Sequence, residues 1–70
     1  MYCVSGFERT LTGVKEIKKE YKVFSNAQRE FYRFALLLLA DKGYCKKFND
    51  FYIYGEDHEG PLYELKLEEK

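Results

Sequence analysis

Residues 25–43, SNAQREFYRFALLLLADKG, form the one stretch that reads as a helix outright, and the rest of a 70-residue chain has to pack against it. Its ends are spelled in the sequence. Ser25 followed three positions later by Gln28 has the pattern of a capping box, in which the serine oxygen takes an orphan N–H of the first turn and the glutamine reaches back. Gly43 stands where a left-handed C-terminal cap is wanted, and Lys42 offers a positive charge to the last carbonyls. Between them are strong helix formers with no Gly or Pro. At helical spacing Ala27, Phe31, Phe34, Ala35, Leu38 and Leu39 share one face, a stripe suited to lying on a sheet. The opposite side carries Arg29, Arg33, Leu36, Leu37 and Ala40, flanked by Tyr32, where a polar surface is expected. Two readings of that outer side stand open. Loop residues or the N-terminal segment fold over it or leave two leucines exposed, which is common, or the face meets a partner.

The length allows one domain over residues 1–70, with a small core and a thin margin of stability. Seven Tyr and six Phe supply most of the buried area such a core needs. The two cysteines, Cys3 and Cys45, are able to pair only if the first and third strands are neighbours. No basic start followed by an apolar run resembles a secretion signal, and Leu36–Leu39 is far too short to span a membrane. A cytoplasmic protein with no membrane contact, its two thiols buried or half-buried, is the expectation. The net charge is zero, yet residues 1–47 hold ten Lys and Arg against five acids, and residues 48–70 hold two against seven. The chain is a charge dipole in sequence, a weak pointer to charged partners.

Taken in order, residues 2–7 read as a strand that extends towards Arg9, and 10–13 as a turn with Gly13 at positive φ. Residues 14–24 fit two patterns. Val14, Ile17, Tyr21 and Phe24 recur at helical spacing, but Ile17, Tyr21 and Val23 also share a parity with Lys15 and Lys19 against a charged row of Glu16, Lys18, Glu20 and Lys22. The junction KVFSN, in which a β-branched and an aromatic residue run into the helix, favours a strand. Residues 44–54 are rich in strand formers, and Asn49-Asp50 makes them either one bent strand or a short hairpin. Parity places Phe51 and Ile53 in the core, with Phe48, Tyr52 and Tyr54 on the charged side unless a bulge at Asn49-Asp50 moves Phe48. Residues 55–60 read as a polar loop closed by Pro61, and 62–68 as a strand with Tyr63, Leu65 and Leu67 inward and Glu69 and Lys70 frayed. The fold class is therefore α+β: a small single-layer, antiparallel-rich sheet in ββαββ order with one helix packed across one face.

Chemistry narrows by elimination, and an enzyme is not expected. One helix on one sheet leaves little room for a pocket, and the only histidine, His58, lies among Glu56, Asp57 and Glu59 in a solvated loop. Adjacent loop residues rarely converge on one ion, so neither a metal nor another cofactor is expected. Cys3 and Cys45 make no CxxC pair, and the glycines match no phosphate-cradling pattern.

Binding remains. In the first version the chain meets another protein, or itself as a homodimer through the outer helix face, using Arg29, Arg33, Leu36 and Leu37 with Tyr52 and Tyr54 as a second patch. In the second, Lys18, Lys22, Lys46 and Lys47, with Lys15, contact phosphates while Tyr52 and Tyr54 stack bases on an open sheet face. The acidic last third of the chain opposes that approach and makes nucleic acid the lesser reading; gathered on one side, those acids would instead face a basic surface on a partner. The size, the lack of catalytic groups and the single compact unit resemble the small inhibitors and adaptors carried by phages and other mobile elements. That resemblance implies action by occupying the surface of a host protein.

Overall fold

The structure, a computed structural model, describes residues 1–43 and 45–70; the strand start expected at Tyr44 lies outside the described residues. The elements are β1 (Tyr2–Thr10), β2 (Gly13–Tyr21), α1 (Phe24–Lys42), β3 (Cys45–Phe48), β4 (Tyr52–Asp57) and β5 (Gly60–Glu69). All strand pairings are antiparallel, in the order β2-β1-β5-β4-β3, and α1 lies across one face of this single sheet. The α+β class with one helix on one sheet is as expected, with five strands instead of four. Asn49-Asp50 breaks the third expected strand into a hairpin: the Asn49 N–H donates to the Tyr52 carbonyl at 2.9 Å, and the Phe51 N–H to the Asn49 side chain at 2.8 Å. That turn restarts the alternation. Phe51 falls outside β4 and is 51% exposed instead of buried, whereas Phe48 pairs with Ile53 and so moves to the helix side of the sheet, still partly in solvent.

Residues 13–21 form a strand because β1 pairs with them from Tyr2↔Tyr21 to Thr10↔Gly13. Their helix-side positions are Lys15, Ile17, Lys19 and Tyr21, in register with Glu8, Gly6, Val4 and Tyr2. Gly13 opens the strand at φ 142°. The expected loop at 55–60 is mostly strand. β4 continues to Asp57, the turn is reduced to His58 and Glu59, and Leu62 sits in a bulge where Gly55 pairs with Tyr63 and Glu56 with Pro61. Glu69 does not fray but pairs with Tyr2, and the Lys70 N–H reaches the Met1 carbonyl at 2.8 Å.

The helix starts two residues earlier than its capping box implies. Val23 is the N-cap, no side chain caps the first turn, and the Ala27 N–H donates to the Val23 carbonyl at 3.2 Å. Packing draws the start forward, for the Phe24 ring lies 5.3 Å from Tyr2 and 6.3 Å from Phe51. The C-terminus ends at Gly43 as expected and its N–H donates to the Leu39 carbonyl at 3.0 Å, but with φ 67° and ψ −153° the glycine is not in the left-handed helical conformation that the sequence implied. Ala27, Phe31, Ala35 and Leu38 are buried on Val4, Ile53, Tyr63, Leu65 and Leu67, which form the core.

Cys3 and Cys45 are both free. β5 and β4 separate their strands, and Cys45 is exposed instead of half-buried. Cys45, Gly55 and Tyr63 stand in register across β3, β4 and β5. The Tyr63 hydroxyl is buried without a hydrogen-bond partner, while the Cys45 thiol donates to the Lys47 carbonyl at 3.4 Å. Burial first, then the nearby Cys45 sulfur, pushes the Tyr63 hydroxyl up to about 12. No described helix is long and apolar enough to cross a membrane.

Candidate protein-interaction surface

The outer side of α1 is open to solvent, so among the described residues neither loops nor the N-terminal segment fold over Leu36 and Leu37. Leu36 is 59% and Leu37 57% exposed, and Arg29, Arg33 and Ala40 are exposed beside them. Arg33 is held in place from two directions. Its guanidinium lies 4.9 Å from the centre of the Phe34 ring, and its Nε donates to Glu30 at 2.5 Å. That contact keeps the Glu30 carboxyl below the ordinary glutamate range and raises Arg33 in turn. Arg29 donates to Asn26 at 3.0 Å one turn away.

Sequence reasoning missed what lies next to this face. α1 runs chiefly over β5 and β1, so the helix side of β2 is only partly covered and a groove of about 720 Å³ opens between helix and strand. Ile17, Phe34, Leu37 and Leu38 supply its apolar lining, and Lys15, Lys19, Glu8, Arg33 and Asp41 its charged margin. The groove overturns the expectation that one helix on one sheet leaves little room for a pocket, since its volume is ordinary for a binding cleft. Its signal was the shared parity of Lys15, Ile17 and Lys19; where the helix sits is a tertiary fact. The described lining residues include no His, Ser or Cys.

The other sheet face carries the second group of candidates. The Tyr52 and Tyr54 rings are parallel within 7°, their centres 6.5 Å apart. Both hydroxyls are engaged at 2.9 Å, Tyr52 with Glu64 and Tyr54 with Glu56, and Lys46 reaches Glu56 at 2.5 Å. Tyr52 is raised by burial and then by Glu64; Tyr54 is raised first by its bond to Glu56, whose own carboxyl is held low by Lys46 and Tyr54. Lys46 and Lys47 border these rings in a shallow hollow. Lys18 does not join them, because β2 and β3 are opposite edges of the sheet, about 19 Å apart at a spacing of about 4.8 Å per strand. Lys22 lies beyond the end of β2, and Lys15 faces the helix side. The five lysines of the nucleic-acid reading are thus spread over both edges and both faces.

The acidic end of the chain does not gather on one side either. β5 is inserted between β1 and β4, so Glu64 stands in register with Phe7 and Tyr54, and Lys66 with Ser5 and Tyr52. The sheet thereby interleaves the two halves of the sequence dipole. His58 is 90% exposed, with its nearest acid, Glu59, at 3.9 Å, and Asp57 is committed to an ion pair with Arg9. Among the described residues no three His, Cys, Asp or Glu side chains stand close enough together to hold a metal ion. No protein-family model matches the chain, and no curated protein or solved structure matches it either.

Proposed function

We propose that this chain is a small non-enzymatic binding module that acts by protein–protein contact, an inhibitor or adaptor that occupies a partner's surface in the manner of those carried by mobile elements. The observation that carries the reading is the pair Leu36 and Leu37, more than half exposed on α1 and continuous through Leu37 with the groove beside β2. Leaving such a surface in water forgoes burial worth about 1–2 kcal/mol for each leucine, since each is already partly covered. Arg29 and Arg33 border it, and arginine with aromatic and aliphatic anchors is the usual composition of a protein contact. The partner is a protein with an apolar ridge and charges of both signs beside it, matching Lys15, Lys19 and Arg33 on one hand and Glu8 and Asp41 on the other. Two free cysteines on separated strands suit a cytoplasmic setting.

The test compares the unmodified chain with Leu37→Glu as baits for affinity capture, each with and without nuclease. Leu37 is exposed, so the variant retains its fold within about 0.5 kcal/mol. The expected result is a protein held by the unmodified chain in both arms and lost with Leu37→Glu. Equal capture by both baits removes the helix face from the function. Capture that disappears with nuclease overturns protein contact in favour of nucleic acid.

A further inference from the structure

β2 is an edge of the sheet. It pairs with β1 on one side and, among the described residues, with nothing on the other, leaving a row of backbone donors and acceptors for another strand. The charges along it carry a hidden order. Read outward from Lys19, the sequence EIKKEYK is charge-reversed about its centre: Lys18 answers Glu20, Glu16 answers Lys22, and the apolar Ile17 answers Tyr21. We propose that β2 is a self-recognition edge, pairing antiparallel with β2 of a second copy about a two-fold axis at Lys19 to give a ten-stranded sheet.

In that register each Lys18 lies opposite a Glu20 of the other copy, and each Glu16 opposite a Lys22 just past the strand end, making four opposite-charge pairs on the open face. On the helix side Ile17 meets Tyr21 twice. The one like-charge pair is Lys19 with its mate, and Glu30, whose carboxyl is held down by Arg33 first and by Arg29 and Lys19 after it, faces Lys19 from its own helix. Residues paired across an antiparallel ladder must point their backbone groups the same way, so the register slides only in steps that preserve parity. Each neighbouring step is repulsive. One sets Glu16 against Glu20 twice and Lys18 against Lys18; the other sets Lys18 against Lys22 twice and Glu20 against Glu20. A slide of two steps towards the turn sets Lys15 against Lys19 twice and keeps only the two Glu16–Lys18 attractions, and two steps the other way leaves only two Glu20–Lys22 attractions over a much shorter overlap. The register centred on Lys19 therefore keeps the most opposite-charge pairs, four, while its immediate neighbours clash, which is how specificity is built from complementary and clashing pairs. This surface does not use the outer helix leucines, though it shares Ile17 and Lys19 with the groove beside them.

The experiment is sedimentation equilibrium over a concentration series, with circular dichroism and urea midpoints as fold controls. Unmodified chain is expected to pass from one-chain to two-chain mass as concentration rises, and to dissociate when salt is raised to about 1 M, where the screening length falls to about 3 Å. Lys18→Glu and Glu20→Lys each turn two attractive pairs into two repulsive ones and should weaken dimerisation at least about tenfold. Neither harms its own sheet: Lys66 lies beyond Ser5 from Lys18, and Glu68 beyond Cys3 from Glu20, so each reversal sets opposite charges in line. The two single variants mixed together should form a heterodimer, and the double variant should dimerise alone. A chain that stays monomeric at about millimolar concentration overturns the proposal, because a dissociation constant near that value is already only about 4 kcal/mol of association. Dimers indifferent to Lys18 and Glu20, a mixture that stays monomeric, or dimers lost only with Leu37→Glu overturn it as well, the last by placing self-association on the helix.

Discussion

Replacing Gly6 with alanine puts a methyl group where the sheet has no room for one. Gly6 lies in β1, between Ile17 of β2 and Leu65 of β5, and a Cβ built there comes 1.9 Å from the Glu64 carbonyl oxygen, 2.7 Å from its carbon and 2.9 Å from the Leu65 Cα. All three are backbone atoms, so no side chain is able to swing aside. Restoring an ordinary contact of about 3.5 Å requires β1 and β5 to part locally by about 1.5 Å. A ladder bond of about 2.9 Å does not survive that displacement. One or two lost bonds at about 1 kcal/mol each, with about 1–3 kcal/mol for overpacking, give a destabilisation of about 3 kcal/mol. A chain of this length has about 4–10 kcal/mol in all, and about 3 kcal/mol lowers Tm by roughly 12–24 °C. Urea unfolding followed by circular dichroism, with calorimetry beside it, reads both quantities. The sign is diagnostic, since alanine restricts the unfolded chain more than glycine does and stabilises a strand wherever it is accommodated. A Gly6→Ala midpoint equal to or above that of the unmodified protein would refute the close approach of β1 and β5.

Two further outcomes concern ionisation. Asp57 is held low by the Glu59 N–H and then Arg9, Glu56 by Lys46 and then Tyr54, and Glu30 by Arg33, against ordinary values of 3.8 for Asp and 4.5 for Glu. Folded values below unfolded ones mean stability that is present above about pH 4.5 and lost as pH falls through the folded values, so the urea midpoint should hold down to about pH 5 and then decline. The paired variant Glu56→Gln with Asp57→Asn should flatten that decline, and an unchanged slope would dismiss these contacts as its source. Tyr63 runs the other way: raised from 10.0 to about 12, it contributes fully below pH 10 and loses its contribution as pH rises towards 12. Tyr63→Phe removes a buried hydroxyl with no partner, so stability at pH 7 should stay within about 1 kcal/mol or rise, and part of the alkaline loss should vanish. A loss above about 2 kcal/mol would show that the hydroxyl is bonded after all.

The helix and its two faces were legible in the sequence because both follow from a 3.6-residue period that packing left intact. β2 was legible less cleanly: Val14, Ile17, Tyr21 and Phe24 also fit a helical face, and it was the junction KVFSN, with charges alternating against Ile17 and Tyr21, that favoured a half-wet strand. What the sequence could not supply was set by contacts between distant residues. Phe24 joined the helix because Tyr2 and Phe51 draw it in, an attraction that local capping rules do not contain. Phe51 left the core because a turn at Asn49-Asp50 reset the alternation, and either side of that choice obeyed the same local rules. The outer leucines were readable as a candidate site, the groove beside them was not, and the mirrored charges of β2 acquired meaning only once strand order made β2 an edge.

That strand order also dictates how the molecule must assemble. β1–β2 is a local hairpin and β3–β4–β5 a local meander, each closed by short turns, and the sheet joins them at one ladder only, β1 with β5, whose partners lie some sixty residues apart in the chain. Pairing at that ladder closes the longest loop of the fold and carries its largest single closure cost, the mark of a slow step. Until β5 enters the middle of the sheet the hairpin and the β3–β4 pair stay unjoined, and the part of the apolar side of α1 that lies on β5 stays uncovered.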